Sequence, residues 1–334
     1  MTSDPSPLFV HMTRGGHIEE RHSVSYAVIS GEGVIDSGGD VDAAVFGRSS
    51  TKPIQALALV ASGAADAFEL SDRHIALACA SHNGEVEHFE LATQWLERIG
   101  CTAANLECGV MRPLNAERDL QLAGDGVDPT TAHHMCSGKH SGFLTIARHL
   151  GVDPSGYIQP SHPVQILVSD TIALATGSDL ASRPLGADGC GVPTHGTSLA
   201  ELATAMFGIS TPSELPDSLS GAGERIATAM MTHPYLVAGR GRMCTQLMEA
   251  LPGQLAAKTG ASGVFVVAAR PPGGPNFGLA LKVGDGAGVA AEAAVLELLK
   301  RQGIDAVAAD PTLGDRLVLK NVAGTEVGSI EIGN

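Results

Sequence analysis

Hydrophobic positions along this chain follow two kinds of pattern, and the two are segregated. Near the start, Ser23 to Ser30 opens with apolar–polar alternation and carries Val24, Tyr26, Val28 and Ile29, the period of a strand. Gly31-Glu32-Gly33 follows as a turn, and Val34-Ile35 begins a return strand. Near the end, Gly263 to Ala269 is a β-branched run, Phe277 to Val283 is a second, and Arg316 to Ile332 has the form of a final hairpin. A helix-patterned stretch, Gly288 to Arg301, interrupts these late strands.

The middle is spaced for helices. Lys52 to Ala61 carries Pro53 where a first helical turn tolerates it. Ser71 is placed to cap a helix running through Ala80, and Glu85 to Ile99 is amphipathic around Phe89, Leu91, Trp95 and Ile99. Lys139 to Leu150, Pro163 to Ala175, Ser198 to Phe207 and Gly223 to Met231 complete the set. Strands at both ends around a block of helices predict an α+β fold in which N- and C-terminal strands share one antiparallel sheet. The expected organisation is a single domain over residues 1–334, with a sheet lobe from about 8–47 and 255–334 and a helical lobe from about 48–254. Gly274 and Pro275 mark a loop, and no repeat or low-complexity linker divides the chain.

Composition narrows the class. Aromatic residues make up 4% of the chain while Gly reaches 41 residues, so the core must be Ala, Leu and Val packed between close backbones. The formal net charge of -15 favours solubility and repels phosphate backbones and anionic membrane surfaces, which excludes nucleic acid and lipid as expected partners. No stretch approaches the ~20 apolar residues of a membrane span. Met1 to Gly16 has no apolar run of signal-peptide length, so a reducing cytoplasm with free thiols is the expected setting for the 6 cysteines.

Three short motifs carry chemistry. Ser49-Ser50-Thr51-Lys52 is a Ser-x-x-Lys opening a helix, and a three-residue offset puts amine and hydroxyl on one face. A serine hydroxyl is a poor nucleophile until a neighbour takes its proton, and a desolvated lysine can do so. The helix start also offers amide donors to a developing oxyanion. Ser81-His82-Asn83-Gly84 lies in a turn between two helices, and Lys258-Thr259-Gly260 just precedes the strand at Gly263. Alone, each reads equally as a capped helix, a turn serine or a surface lysine. In chain order they reproduce the Ser-x-x-Lys, Ser-x-Asn and Lys-Thr-Gly elements of serine β-lactamases and penicillin-binding proteins.

Two further segments extend this pattern: His134-Met135-Cys136-Ser137-Gly138-Lys139-His140-Ser141-Gly142 and Gly186-Ala187-Asp188-Gly189-Cys190-Gly191-Val192-Pro193. With Arg48-Ser49-x-x-Lys52-Pro53-x-Gln55, Ser81-His82-Asn83-Gly84-Glu85-x-x-His88 and His233-Pro234, the chain resembles the Rhizobium-etli-type asparaginases of the L-asparaginase II family from about Val10 to Gly286. The resemblance implies a serine β-lactamase-like fold, a homodimer, and hydrolysis of L-asparagine to aspartate and ammonia. By position it implies Ser49 as nucleophile with Lys52, Ser81 with Lys258 as a second pair, and zinc held by Cys136, Lys139 and Cys190 with Asp188 close by. Ser50 next to the nucleophile and Ala261-Ser262, where an acidic residue is expected after the alanine, depart from the family pattern.

Residue chemistry bears on the rest of the site. Cysteine thiolates are good zinc ligands, whereas a lysine ligand must first be neutral; buried core thiols are the plain alternative for Cys136 and Cys190. Arg48, beside the nucleophile, is a candidate fork for a substrate carboxylate, with a structural ion pair as the alternative. His82, Asn83 and Asp188 are further candidate substrate contacts, although His82 and His88 also suit loop shaping. Gly284-Asp285-Gly286-Ala287-Gly288 reads as a strand-to-helix turn, since no basic residue sits in it to meet a phosphate. The two other function classes left open are a β-lactamase or DD-peptidase and a non-catalytic zinc or amino-acid binding protein on the same fold.

Overall fold

A computed structural model describes residues 6–333; the first five residues of the leader reading above, and residue 334 of the sheet lobe, lie outside the described residues. The strands are β1 (Leu8–Arg14), β2 (His17–Ser30), β3 (Gly33–Gly38), β4 (Val45–Phe46), β5 (Leu185–Ala187), β6 (Pro193–Thr197), β7 (Leu255–Gly260), β8 (Val264–Ala269), β9 (Phe277–Val283), β10 (Val318–Lys320) and β11 (Glu326–Gly333). An eight-stranded sheet runs in the order β10-β11-β1-β2-β9-β8-β7, with β3 also on β2. All its pairings are antiparallel, from both ends of the chain, and the fold is α+β.

β2 explains why the strand signal begins only at Ser23. Its first five residues are exposed and its last five buried. Its early part pairs with β1, and beyond Tyr26 it lies between β3 and β9. β8 is buried at all six positions, so both faces of the sheet are covered there. The helices Leu199–Ser210 and Gly288–Arg301 pack on these central strands. The first lies so close that a Cβ on Gly278 of β9 would collide with the backbone of Ala203 and Phe207. Small residues in the sheet set that spacing, and burial of the Ala, Leu and Val side chains between them supplies the stabilisation.

Residues between β3 and β7 are mostly helical. Lys52–Ala61 and Gly288–Arg301 have their expected bounds, Asp217–Thr232 begins six residues before its apolar signal, and Ala116–Gly124 and Met243–Ala250 had none. A small sheet, β4-β6-β5, lies within this part and carries the turn holding Asp188 and Cys190. Among the described residues no helix is long and apolar enough to cross a membrane.

Candidate active site

Four separate pieces of chain converge on one cavity. Ser49 sits in a 3-10 turn, Arg48–Thr51, that leads into the helix Lys52–Ala61. Ser81 lies in the turn after the helix Asp72–Ala78, fixed by its own N–H donating to Val237 O. Cys136 directly precedes the helix Ser137–Leu150, which carries Lys139. Lys258 lies within β7, at the sheet edge, ahead of β8 as the motif reading has it, and β7 itself is the strand that reading did not name. The cavity, about 330 Å³, is lined by Arg48, Ser49, Ser81, Cys136, Asp188 and Cys190 among the expected residues.

The lysines are the unusual feature. Lys52 is 1% and Lys258 0% exposed, yet among the described residues neither forms an ion pair with a carboxylate. Lys52 Nζ donates to Ser81 Oγ at 2.8 Å, to Cys136 Sγ at 3.0 Å and to the Ala80 carbonyl. Lys258 Nζ lies 2.9 Å from the same Ser81 Oγ and 2.8 Å from Thr259 O. Burial, reinforced by the charge of Lys52, lowers the Lys258 pKa to about 7. The expected hydrogen bond between Ser49 and Lys52 is not formed. A 3-10 turn replaces the first α-helical turn, and the lysine side chain runs inward to Ser81. Ser50 is fully buried and its hydroxyl donates to Gly47 O at 2.6 Å, which leaves Ser49 as the hydroxyl of the pair that faces the cavity.

The two cysteines form a second cluster against the first. The Cys190 thiol on one side, and Lys52 and Lys139 on the other, hold Cys136 well below its ordinary pKa despite its burial. The same partnership and burial push the Cys190 thiol upward. Lys139 Nζ is 2.9 Å from Cys190 Sγ. Burial disfavours the Lys139 charge, but the two sulfurs and Asp188 more than offset it and raise its pKa. Among the described residues no three His, Cys, Asp or Glu side chains gather closely enough to hold a metal.

Arg48 is committed to Asp188, its Nε donating to Oδ1 at 2.7 Å. Burial pushes the Asp188 carboxyl up, but the charge of Lys139 and hydrogen bonds from Arg48 and the Gly189 N–H bring it below its usual value. Arg48 itself has φ 53°, a left-handed conformation uncommon outside glycine, of the kind found at sites over-determined by their surroundings.

Two expected substrate contacts are not made. His82 is fully buried and does not line the cavity. Its Nδ1 accepts from Gly84 N, its Nε2 pairs with Ser137 Oγ at 2.9 Å, and its ring stacks 4.7 Å from His88. Burial holds it neutral, as a post beneath the Ser81 turn. Asn83 also sits behind the wall, donating to Arg240 O and accepting from Arg242. The lining residues missed from sequence include Met111, His134, Thr259 and Arg242. The last could have been noticed as a basic residue in the glycine-rich run Gly239-Arg240-Gly241-Arg242 of an acidic chain. A comparison with curated proteins finds no matching sequence. The family profile of L-asparaginase II, in contrast, matches residues 10–332, nearly the whole chain, and the protein belongs to that family.

Proposed function

We propose that the protein is an L-asparaginase that hydrolyses the side-chain amide of free L-asparagine, with Ser49 as nucleophile, Lys52 as its base, and Ser81 and Lys258 as a second pair. The observation that carries this reading is the Ser81 hydroxyl held between two buried amines at the wall of the cavity that Ser49 lines. A binding protein gains nothing from burying two unpaired lysines around a serine, which costs desolvation free energy; a hydrolase gains a base. Membership of the asparaginase family supports an amidohydrolase and asparagine as its substrate.

In this scheme the neutral form of Lys258, which gains population as pH rises through about 7, draws a proton from Ser81 while Ser81 takes one from Lys52. Lys52, whose amine must first turn from Ser81 toward Ser49, then accepts the Ser49 proton as Ser49 Oγ bonds to the amide carbon. The tetrahedral intermediate collapses with cleavage of the C–N bond, and the departing nitrogen leaves as ammonia with a proton returned along the same chain. Water attacks the aspartyl ester, gives its proton to the relay, and frees aspartate and Ser49. Asp188 Oδ1 is taken up by Arg48 and Gly189, and Oδ2, which the Cys190 thiol meets at a long 3.9 Å, is the oxygen that turns to the substrate ammonium in this scheme.

Zinc is part of the proposal. Cys136, Cys190 and Lys139 fit it: both sulfurs are good zinc ligands, the Cys136 thiol is the one whose pKa is lowered, and the amine lies against the second sulfur. Binding would require the thiols and the lysine to lose their protons. Zinc held there would supply a Lewis-acidic centre that positions the substrate. The motif placements, nucleophile at a helix entry, Ser81 in an interhelical turn and Lys258 on an edge strand, support a serine β-lactamase-like architecture in one catalytic domain. We also propose the homodimer that the family resemblance implies.

The double lysine contact favours one second reading, in which Ser81 attacks. Trapping the acyl-enzyme by acid quench during turnover and mapping the modified peptide separates the two. Aspartyl on Ser49 supports the first scheme, and on Ser81 the second. Ammonia release from L-Asn, D-Asn, L-Gln and Asn-containing dipeptides tests the substrate; no release from L-Asn overturns the assignment.

A further inference from the structure

The cavity wall contains a cation that the proposed chemistry leaves unused. Arg242 is the residue immediately before the helix Met243–Ala250 and lines the cavity with Ser49 and Ser81. Of the two arginines in the wall, Arg48 is bound to Asp188 at 2.7 Å, whereas Arg242 makes no ion pair among the described residues. Its only side-chain hydrogen bond among them is from Nη1 to Asn83 Oδ1, at 3.1 Å. Asn83 is held in turn, its Nδ2 donating to Arg240 O at 3.0 Å. The guanidinium is therefore oriented by a neutral amide that leaves its charge uncompensated, with the remaining N–H groups available to an acceptor. Its charge also reaches Lys258, where it is among the causes of the lowered pKa. It lines the same cavity as Ser49, Ser81 and Asp188.

A half-buried guanidinium without a carboxylate is a site for an anion of matching shape, and a planar fork selects a carboxylate. We infer that Arg242, oriented by Asn83, binds the α-carboxylate of the substrate, and that Arg48 acts on the substrate only by fixing Asp188. The inference rests on the asparaginase reading and assigns its specificity: a zwitterion is read by two groups of opposite sign, Asp188 for the ammonium and Arg242 for the carboxylate. Asn83, the third residue of the Ser-His-Asn-Gly motif, becomes a positioning residue for this arginine.

The test compares L-asparagine with its α-methyl ester, which keeps the side-chain amide and the ammonium but lacks the carboxylate. Wild-type enzyme should prefer free asparagine. In Arg242→Gln, KM for asparagine should rise about 10- to 100-fold with kcat changed far less, and preference over the ester should fall toward one. Arg242→Lys, which keeps charge without the fork, should recover part of the preference and guards against a folding defect in the glutamine variant. Arg48→Gln should lose activity on both substrates in parallel. Wild-type enzyme active on asparagine, with the preference unchanged in both Arg242 variants or collapsing in Arg48→Gln alone, would overturn this assignment and leave the asparaginase reading intact. A wild-type enzyme that releases no ammonia from asparagine would remove both.

Discussion

Lys52 and Lys258, 206 positions apart in the sequence (258 − 52), bring their amines to 2.8 and 2.9 Å from one oxygen, Ser81 Oγ. Burial of the Lys258 amine, reinforced by the charge of Lys52 beside it, lowers its pKa to about 7.

pH dependence follows with a definite sign. A base works only when deprotonated, so kcat/KM should rise as pH climbs through about 7, as Lys258 loses its proton, and level off on the alkaline side. Lys258→Arg, which keeps a cation that does not deprotonate, should be inactive at every pH. Stability moves the same way, because the folded state disfavours a proton that the unfolded chain keeps up to about pH 10. Melting temperature should therefore gain less between pH 7 and 10 in Lys258→Met than in the wild type. An activity optimum near pH ~5 would point to a carboxylate base and sink the Ser–Lys scheme.

Adjacent serines give the sharpest mutational contrast. Ser49→Ala should reduce kcat by at least about a thousandfold, the range found when an activated nucleophile is removed, with no loss of stability. Ser50→Ala removes the buried bond to Gly47 O, so it should cost about 1 kcal/mol in stability while retaining most activity. Denaturant melts and ammonia assays on both variants decide it; a dead Ser50→Ala beside an active Ser49→Ala would shift the register by one residue.

Substrate class separates this protein from the enzymes whose motifs it shares. Free L-asparagine should be hydrolysed, and benzylpenicillin or nitrocefin should not be turned over. Nitrocefin hydrolysis without ammonia release from asparagine would hand the assignment to the β-lactamase reading.

The cysteine cluster yields a metal prediction. Purified protein should carry close to one zinc per chain by elemental analysis. Chelation should raise KM more than it lowers kcat, since the lysines already supply the base, and Cys136→Ala should behave like chelated enzyme. Metal-free protein as isolated, with Cys136→Ala fully active, would reduce the pair to core thiols.

Gly138 offers a test of the packing that supports the site. A Cβ there would run into the carbonyl of Leu77, where the helix Ser137–Leu150 lies against Asp72–Ala78. Gly138→Ala should cost about 1–3 kcal/mol, as overpacking does, and reduce activity by moving its neighbour Lys139. An unchanged denaturation midpoint would show that the two helices can separate freely.

Much of this was legible before any coordinates, and the omissions have physical reasons. Helices such as Lys52–Ala61, opened by Pro53, and Gly288–Arg301 announce themselves because their signals are local. β7 was missed because Leu255, Ala256 and Ala257 are too short and too small a run to show a period, though it carries Lys258. The site motifs name residues but not their partners. That Lys52 turns to Ser81, that Arg48 pairs with Asp188, and that His82 is buried beneath its turn all depend on contacts between distant segments. Arg242 matches no motif, and it is set apart only by making no ion pair among the described residues while lining the cavity.

The bond between Lys258 and Ser81 joins positions 177 residues apart, and the two come from the sheet edge and from the helical middle of the chain. Contacts of such high sequence separation pay their loop-closure entropy late, after local helices and hairpins have formed. Refolding from denaturant should therefore restore far-ultraviolet dichroism well before ammonia release. For this enzyme, catalytic competence is the arrival signal of the last long-range contact, and a refolded sample can have full secondary structure and still be inert.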